Sequence, residues 1–322
     1  MNSWITGGLA SVAGLLSLTQ LKTGRSDGDL VNIHPYRRMM FYIMPGRNES
    51  VVYFDRAVRA ERLEAYIEQA REAFGANMTH VLTAAVGIGL GENPKMNQFV
   101  VGRRLYARRG RWVTFSMKRQ KLNKQAKLSA VKMEMQDGET FRELVTRING
   151  QVQHERSGER TDSDKEFDIL NLLPRPGLNL AANLLRALDY YNLMPAFFIK
   201  GDGMYTSAFI ANLGSVGMGA GYHHLYEYGT CPLFIMVGQV EERPVVEDGK
   251  VVVGRVLPIR FSYDERIADG LTARFGIESV ARVLEDPFHW LGCLAPDDSD
   301  RRPMFPHGET IDVGDNTKPI HD

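Results

Sequence analysis

Residues 250–270 read KVVVGRVLPIRFSYDERIADG. Residues 250–264, rich in β-branched and aromatic side chains, predict one long strand. A helix is expected from about 269 to 284, stopping at Pro287. Asp248-Gly249 is a turn signal ahead of the strand. Before it come two more strand-like runs, PLFIMVGQVEERPVV at 232–246 and MYTSAFIANLG at 204–214.

Further upstream the periodicity changes. Residues 57–74 (AVRAERLEAYIEQAREAF) place apolar side chains at helical spacing, and 80–90 predict a more apolar helix ended near Pro94. Residues 98–117 hold two strand-like runs, FVVGRRLYA and RWVTFSM, which are expected to pair as a hairpin around Arg109-Gly110. Thr140 and Glu143 form a capping box at the start of the helix FRELVTRINGQV. Residues 170–193 read as helix broken by Pro174 and Pro176. Helices early and strands late predict an α+β fold, a two-layer sandwich with helices packed on a mixed sheet. The chain has no internal repeat.

Composition narrows the function. The 322 residues are 43% hydrophobic and 24% charged, which suits a soluble globular protein and excludes wholesale disorder. Lys plus Arg (39) equals Asp plus Glu (39), so global charge predicts no nucleic-acid partner. Two cysteines, Cys231 and Cys293, exclude a disulfide scaffold and a Cys-based zinc site; a reducing cytoplasm is the simplest compartment. Three regions are expected: an apolar segment at 1–24, a body at 25–294 and a polar arm at 295–322. Residues 1–21 carry no charged side chain but are diluted by Gly, Ser and Thr. They read equally as a helix that touches a membrane or a partner and as a buried N-terminal helix; spanning a bilayer is the lesser reading. Residues 295–322 read as an extended arm or a disordered tail, and 153–165 as an exposed connection.

Some local patterns have simple structural readings. Gly87-Ile-Gly89-Leu-Gly91 lies at the end of a helix instead of between a strand and a helix, so it is read as packing and not as a dinucleotide loop. The basic stretch from Lys95 to Lys132 is read as a solvated hairpin face, with attraction for phosphate or anionic lipid headgroups as the alternative. His223 and His224 are adjacent and point apart, so they are read as hydrogen-bonded structural residues and no metal site is expected.

Longer patterns carry more. Thr206-Ser-Ala-Phe-Ile-Ala-Asn212-Leu213-Gly214 is followed by Pro232-Leu-Phe-Ile-Met-Val-Gly238, Arg243-Pro-Val-Val246 and Asp248-Gly249. Phe261-Ser-Tyr-Asp264-Glu265-Arg266-Ile-Ala-Asp269-Gly270 and Leu284-Glu-Asp-Pro287 close the series. In order and spacing this block resembles the C-terminal half of the catalytic domain of the 2-oxo acid dehydrogenase acyltransferases, of the chloramphenicol acetyltransferase-like type. Weaker likeness extends to Pro35-Tyr-Arg37-Arg38 and Glu92-Asn-Pro94-Lys-Met-Asn97. Nothing in the chain resembles the lipoyl or subunit-binding domains of the large components.

The resemblance implies a homotrimer, or a larger assembly of trimers, with a channel between subunits. Coenzyme A, as the acyl-CoA donor, would enter from one side and an acceptor from the other. A histidine would take the acceptor's proton and a hydroxyl from the neighbouring subunit would steady the oxyanion. Here the histidine position is Glu265 and the hydroxyl position is Ala211. Asn212, Asp264, Arg266, Asp269 and Gly270 remain as framework, with Arg37 or Arg38 expected to pair with Asp269. General-base help contributes about 10²–10⁴ in rate and an oxyanion donor about 10²–10³. Glu265 is therefore the expected base, with His223 and His224 as helpers and Ser207 or Ser215 as stand-in hydroxyls. The alternative is a pseudoenzyme that serves as a trimeric or cage-forming scaffold. Peripheral membrane contact through 1–21, and a lipid acceptor, is a third reading.

Overall fold

The computed structural model describes residues 14, 17, 22–118, 128–157 and 172–305. The first half of the chain runs β1 (Gly28–Leu30), α1 (Pro35–Ile43), β2 (Val51–Arg59), α2 (Glu61–Phe74), α3 (Met78–Glu92), β3 (Gln98–Val101), β4 (Arg104–Arg108), β5 (Arg111–Lys118) and β6 (Leu128–Met135). The second half runs α4 (Phe141–Arg156), α5 (Arg175–Tyr190), α6 (Ala196–Gly201), β7 (Ala208–Asn212), β8 (Leu233–Val237), β9 (Glu241–Glu247), β10 (Lys250–Asp264), α7 (Gly270–Glu285) and α8 (Pro287–Leu291).

Strand β10 organises the main sheet, whose order is β2-β10-β8-β7-β5-β6 with β9 also on β10. The sheet is mixed because β7 runs parallel to β5 and β8 while the other pairs are antiparallel. Side chains alternate along β10. Leu257, Ile259, Phe261 and Tyr263 face the helix layer and share one core with Val86 of α3 and Val280 of α7. On the other face Phe234 and Met236 of β8 join Phe209, Leu225 and Cys231 in a second cluster. This is the expected α+β sandwich.

Helix α3 is buried on nearly every side. A Cβ at Gly87 would meet the Met135 side chain at 2.8 Å, and one at Gly89 would meet Val280 at 2.9 Å. The glycines let the helix lie close to its neighbours, which is the packing role read for them. Helix α4 starts at the expected Thr140–Glu143 capping box.

Several expectations need correction. The run FVVGRRLYA is itself a hairpin, β3 with β4, and pairs with β1 in a separate three-stranded sheet. Gly102 (φ 56°) and Arg103 (φ 60°) supply the two left-handed residues of its two-residue turn. Gly110 (φ 73°) then redirects β5 into the main sheet. Residues 57–59 belong to β2, not to the helix that follows. Pro174 and Pro176 open α5 instead of breaking it, since proline fits the first helical turn. The described part of the arm, residues 295–305, returns to the body at its end: Met304 and Phe305 are buried, and Met304 N–H donates to the Glu139 carbonyl at 2.9 Å.

The basic stretch is not one solvated face. Arg108 is buried against Phe99, and Lys132 donates to the carbonyls of Ile199, Lys200 and Asp202. Arg119, Lys121, Lys124 and Lys127 lie outside the described residues, as do most of 1–21, residues 158–165 and residues 306–322. Among the described residues no single helix is long and apolar enough to cross a membrane.

Candidate functional site

The carboxyl end of β10 is locked by charge. Asp264 is 0% and Arg266 3% exposed. Arg266 donates from Nε to Oδ1 at 2.8 Å and from Nη2 to Oδ2 at 2.7 Å. Ser50 Oγ donates to the same Oδ1 at 2.9 Å. The third guanidinium nitrogen donates to the carbonyls of Met44 (3.0 Å) and Pro45 (2.8 Å), which ties the loop after α1 to the turn. A bidentate pair of this kind fixes geometry as well as charge.

Glu265 lies between these two buried residues. Its N–H donates to the Ser50 carbonyl at 2.9 Å, while its side chain is partly exposed. A carboxylate is thus held on a rigid turn at the protomer surface. Arg37 Nη2 donates to the Arg266 carbonyl at 3.3 Å, and Arg38 is exposed. Among the described residues Asp269 pairs with neither arginine. It caps α7 instead, accepting the Thr272 N–H at 2.9 Å. That bond holds the Asp269 carboxyl below the usual carboxylate range, with Arg37 and Lys95 adding a smaller pull. Gly270 is the first residue of the capped helix.

The other end of the sheet row is softer. Ala211 faces the second cluster and Asn212 ends β7. Asn212 Oδ1 accepts the Ser215 N–H at 3.2 Å, and Ser215 Oγ donates to the Asn212 carbonyl at 2.7 Å. The Asn212 amide reaches Thr79 Oγ1 at 3.3 Å. Asn212, Ser215 and Thr79 line a cleft of about 840 Å³ whose wall also carries Arg71, Lys118, Arg156 and the ion pair of Arg255 with Glu64. Ser207 is elsewhere: buried, it brackets Trp112 through both its hydroxyl and its N–H.

His80 also lines the cleft, and neither charge nor spacing marked it in the sequence. Its Nδ1 accepts the Asn77 N–H at 3.0 Å, closing a capping box in which histidine takes the usual Glu or Gln place. Burial pulls its pKa down to about 4, with Asn149 offsetting only part of that.

His223 and His224 lie on the face of the sheet away from the helices. The His223 ring stacks on Phe234 at 4.1 Å between centroids and on His224 at 4.8 Å. Ser262 Oγ donates to the His223 carbonyl at 2.6 Å. The histidines share the sheet face on which Ala211 lies, with the His223 backbone against Ser262, three residues before Glu265. Among the described residues no group of three metal-ligating side chains forms.

Register sets the distance between the two ends. Asn212 pairs with Val237, and Val237 with Ile259. Glu265 lies six residues past Ile259, roughly 20 Å at a strand's rise. No single protomer brings Glu265 to Asn212 and Ser215.

Residues 202–292 match the family model of the 2-oxoacid dehydrogenases acyltransferase (catalytic domain). The dihydrolipoyllysine-residue acetyltransferase component of the pyruvate dehydrogenase complex of Bacillus subtilis (strain 168) is 32% identical over 82 residues, 26% of this chain and 18% of that protein. The chain spans less than a fifth of the length of the curated relatives it matches. A probable dihydrolipoamide acetyltransferase from Listeria monocytogenes 4b F2365 superposes with TM-score 0.54 at 15% identity, covering 80% of this chain and 94% of that one. The cubic core of the pyruvate dehydrogenase multienzyme complex gives 0.52 at 16%, covering 81% and 93%. Residues 202–292 thus match the catalytic-domain model of the 2-oxoacid dehydrogenase acyltransferases, and the chain has the fold of these cores. The resemblance read from the motifs and the expected fold class are both borne out.

Proposed function

We propose that the protein is a divergent acyltransferase that uses coenzyme A thioesters and works at a site shared between copies of the chain in a trimer. The observation that carries this reading is the separation just described. The locked turn bearing Glu265 and the Asn212–Ser215 turn lie at opposite ends of the sheet, so they meet only if one protomer's turn faces its neighbour's cleft. The solved cubic core supports assembly of this fold into larger particles. The cleft volume suits a pantetheine arm, and its cationic wall suits the phosphates.

In this reading Glu265 accepts a proton from the thiol, hydroxyl or amine of the acceptor as that atom attacks the thioester carbonyl. Ser215 of the partner subunit, turned from the Asn212 carbonyl, donates to the oxyanion. Collapse of the tetrahedral intermediate breaks the carbon–sulfur bond, and the proton returns to the departing coenzyme A thiolate. The acceptor receives the acyl group and free thiol is released. Asp264 and Arg266 position the turn, and His223 and His224 line the face on which Ala211 lies.

Purified protein offered acyl-CoA and varied acceptors should release thiol, and Glu265→Gln should lower that rate by about 10²–10⁴. Release no faster than buffer, with no effect of the substitution, contradicts the reading. One observation favours a second reading, a non-catalytic trimeric scaffold. Ala211 has no hydroxyl, and Ser207 is fully engaged with Trp112. Under that reading the trimer forms and no acyl-CoA shifts its melting temperature.

A further inference from the structure

A second cavity, of about 440 Å³, lies between the loop after α1, the β3–β4 turn and the end of α5. The Gly102 turn closes it tightly, since a Cβ there would stand 2.3 Å from the Tyr190 carbonyl oxygen. Its wall is cationic in an unusual way. Arg266 is neutralised by Asp264. Arg47, Arg103 and Arg186 also line the cavity, and among the described residues none of the three forms an ion pair.

Arg47 is the telling group. It is 5% exposed, and its guanidinium meets only the carbonyls of Tyr226, Glu227 and Val100. Its Nε has no partner. The two acids in the wall are already engaged. Asp189 accepts from Arg25 at 2.9 Å. Glu227 accepts the N–H groups of Arg47 (3.1 Å) and Asn48 (2.9 Å) and the Asn48 amide (3.2 Å). A buried guanidinium without a direct ion pair is costly. Burial pulls the Arg47 pKa down, and the nearby carboxylates of Asp264, Asp189 and Glu227 offset only part of that. Arg103 is held over the Tyr42 ring at 4.7 Å and not by a carboxylate. The remaining wall is flat and apolar: Phe41, Tyr190, Tyr228, Val100 and Leu185.

We propose that this cavity binds a small molecule that joins a phosphate to a flat ring, of nucleoside mono- or diphosphate size. One buried guanidinium without a salt bridge, beside the exposed Arg103 and Arg186, suits a multiply charged phosphate better than a lone carboxylate. The aromatic wall suits a base stacked or packed edge-on. Within one protomer the cavity lies at the Arg266 end of the sheet, beside Glu265, and shares no lining residue with the cleft at Asn212, so competition with coenzyme A decides whether the two sites are distinct.

Adenosine diphosphate is the probe, measured by calorimetry and by melting temperature on the full chain. At ligand about 100 times a Kd of about 10 µM, a rise of several degrees is expected. Added salt should weaken the binding. Arg186→Ala, on an exposed helix position, and Arg103→Asn, which keeps a residue tolerant of the left-handed turn, should each weaken it about tenfold or more. Adenosine and pyrophosphate should each bind more weakly than the nucleotide. Coenzyme A at saturation should leave the affinity unchanged. No binding, binding indifferent to both substitutions, or displacement by coenzyme A overturns the proposal. Failure of acyl transfer with nucleotide binding intact bears only on the catalytic reading.

Discussion

The two ends of the β7–β8–β10 row are built on different principles. At the Asp264 end a buried bidentate ion pair, a serine hydroxyl and two loop carbonyls converge on one turn. At the Asn212 end neutral hydrogen bonds hold an exposed turn beside a wide cleft. The first end is rigid because a charge taken out of water tolerates only one geometry. The second can rearrange, because its bonds can be exchanged with water at little net cost. A group carried on the rigid end is positioned before anything binds, while the cleft end can adjust to a ligand.

The largest effect should come from breaking the rigid end. Asp264→Ala leaves Arg266 buried and unpaired and should cost about 3–5 kcal/mol of stability, read by denaturant titration. A loss under about 1 kcal/mol would mean that water relieves the charge and the contrast between the two ends is false.

Next comes a pH effect confined to the cleft end. The folded pKa of His80, about 4, lies below its unfolded value near 6.5. The unfolded chain therefore takes up the proton first as pH falls. The stability His80 contributes is complete above about pH 6.5 and is lost on descent to about pH 4, by about 3 kcal/mol in all. Protonation also removes the Nδ1 acceptor that closes the helix cap. His80→Gln keeps an acceptor at the same cap position and should flatten that part of the stability–pH curve; an unchanged curve would place the titration elsewhere.

A smaller loss is expected at Asp269. Asp269→Ala removes the cap of α7 and should cost about 1 kcal/mol. The Asp269 carboxyl is lowered in the fold. Its contribution is therefore present above the ordinary carboxyl range and fades as pH falls through the folded value, so the variant should match the parent in strong acid. The smallest effect belongs to Ser215→Ala, which loses one exposed hydroxyl contact and should change stability by under about 0.5 kcal/mol.

The long strand β10 was legible because its composition and its flanking signals agree. Asp248-Gly249 starts it and the capped α7 follows it, so local and global preferences coincide. The β3–β4 hairpin was misplaced for the opposite reason. Gly102 and Gly110 are both turn glycines, and periodicity marks strands without naming their partners. Residues 57–59 merged with the next helix because Ala57 and Val58 happen to continue its apolar spacing. At the site, Asp264, Arg266 and Asn212 could be read from motif spacing. Arg47 could not, since a lone arginine in the loop PGRNES carries no pattern until the fold buries it. His80 escaped because its cap uses a ring nitrogen where a carboxylate or amide is customary.

The central claim is that Glu265 of one protomer faces the Ser215 turn of another. It can be tested without knowing the acceptor. The double variant Glu265→Cys/Ser215→Cys carries two accessible thiols, while native Cys231 and Cys293 are buried at 2% and 1% exposure. Treated with a short bis-maleimide and run on a denaturing gel, it should give linked dimers and trimers of the 36.2 kDa chain. Either single variant should stay monomeric. A double variant that remains monomeric on the gel would contradict the shared site.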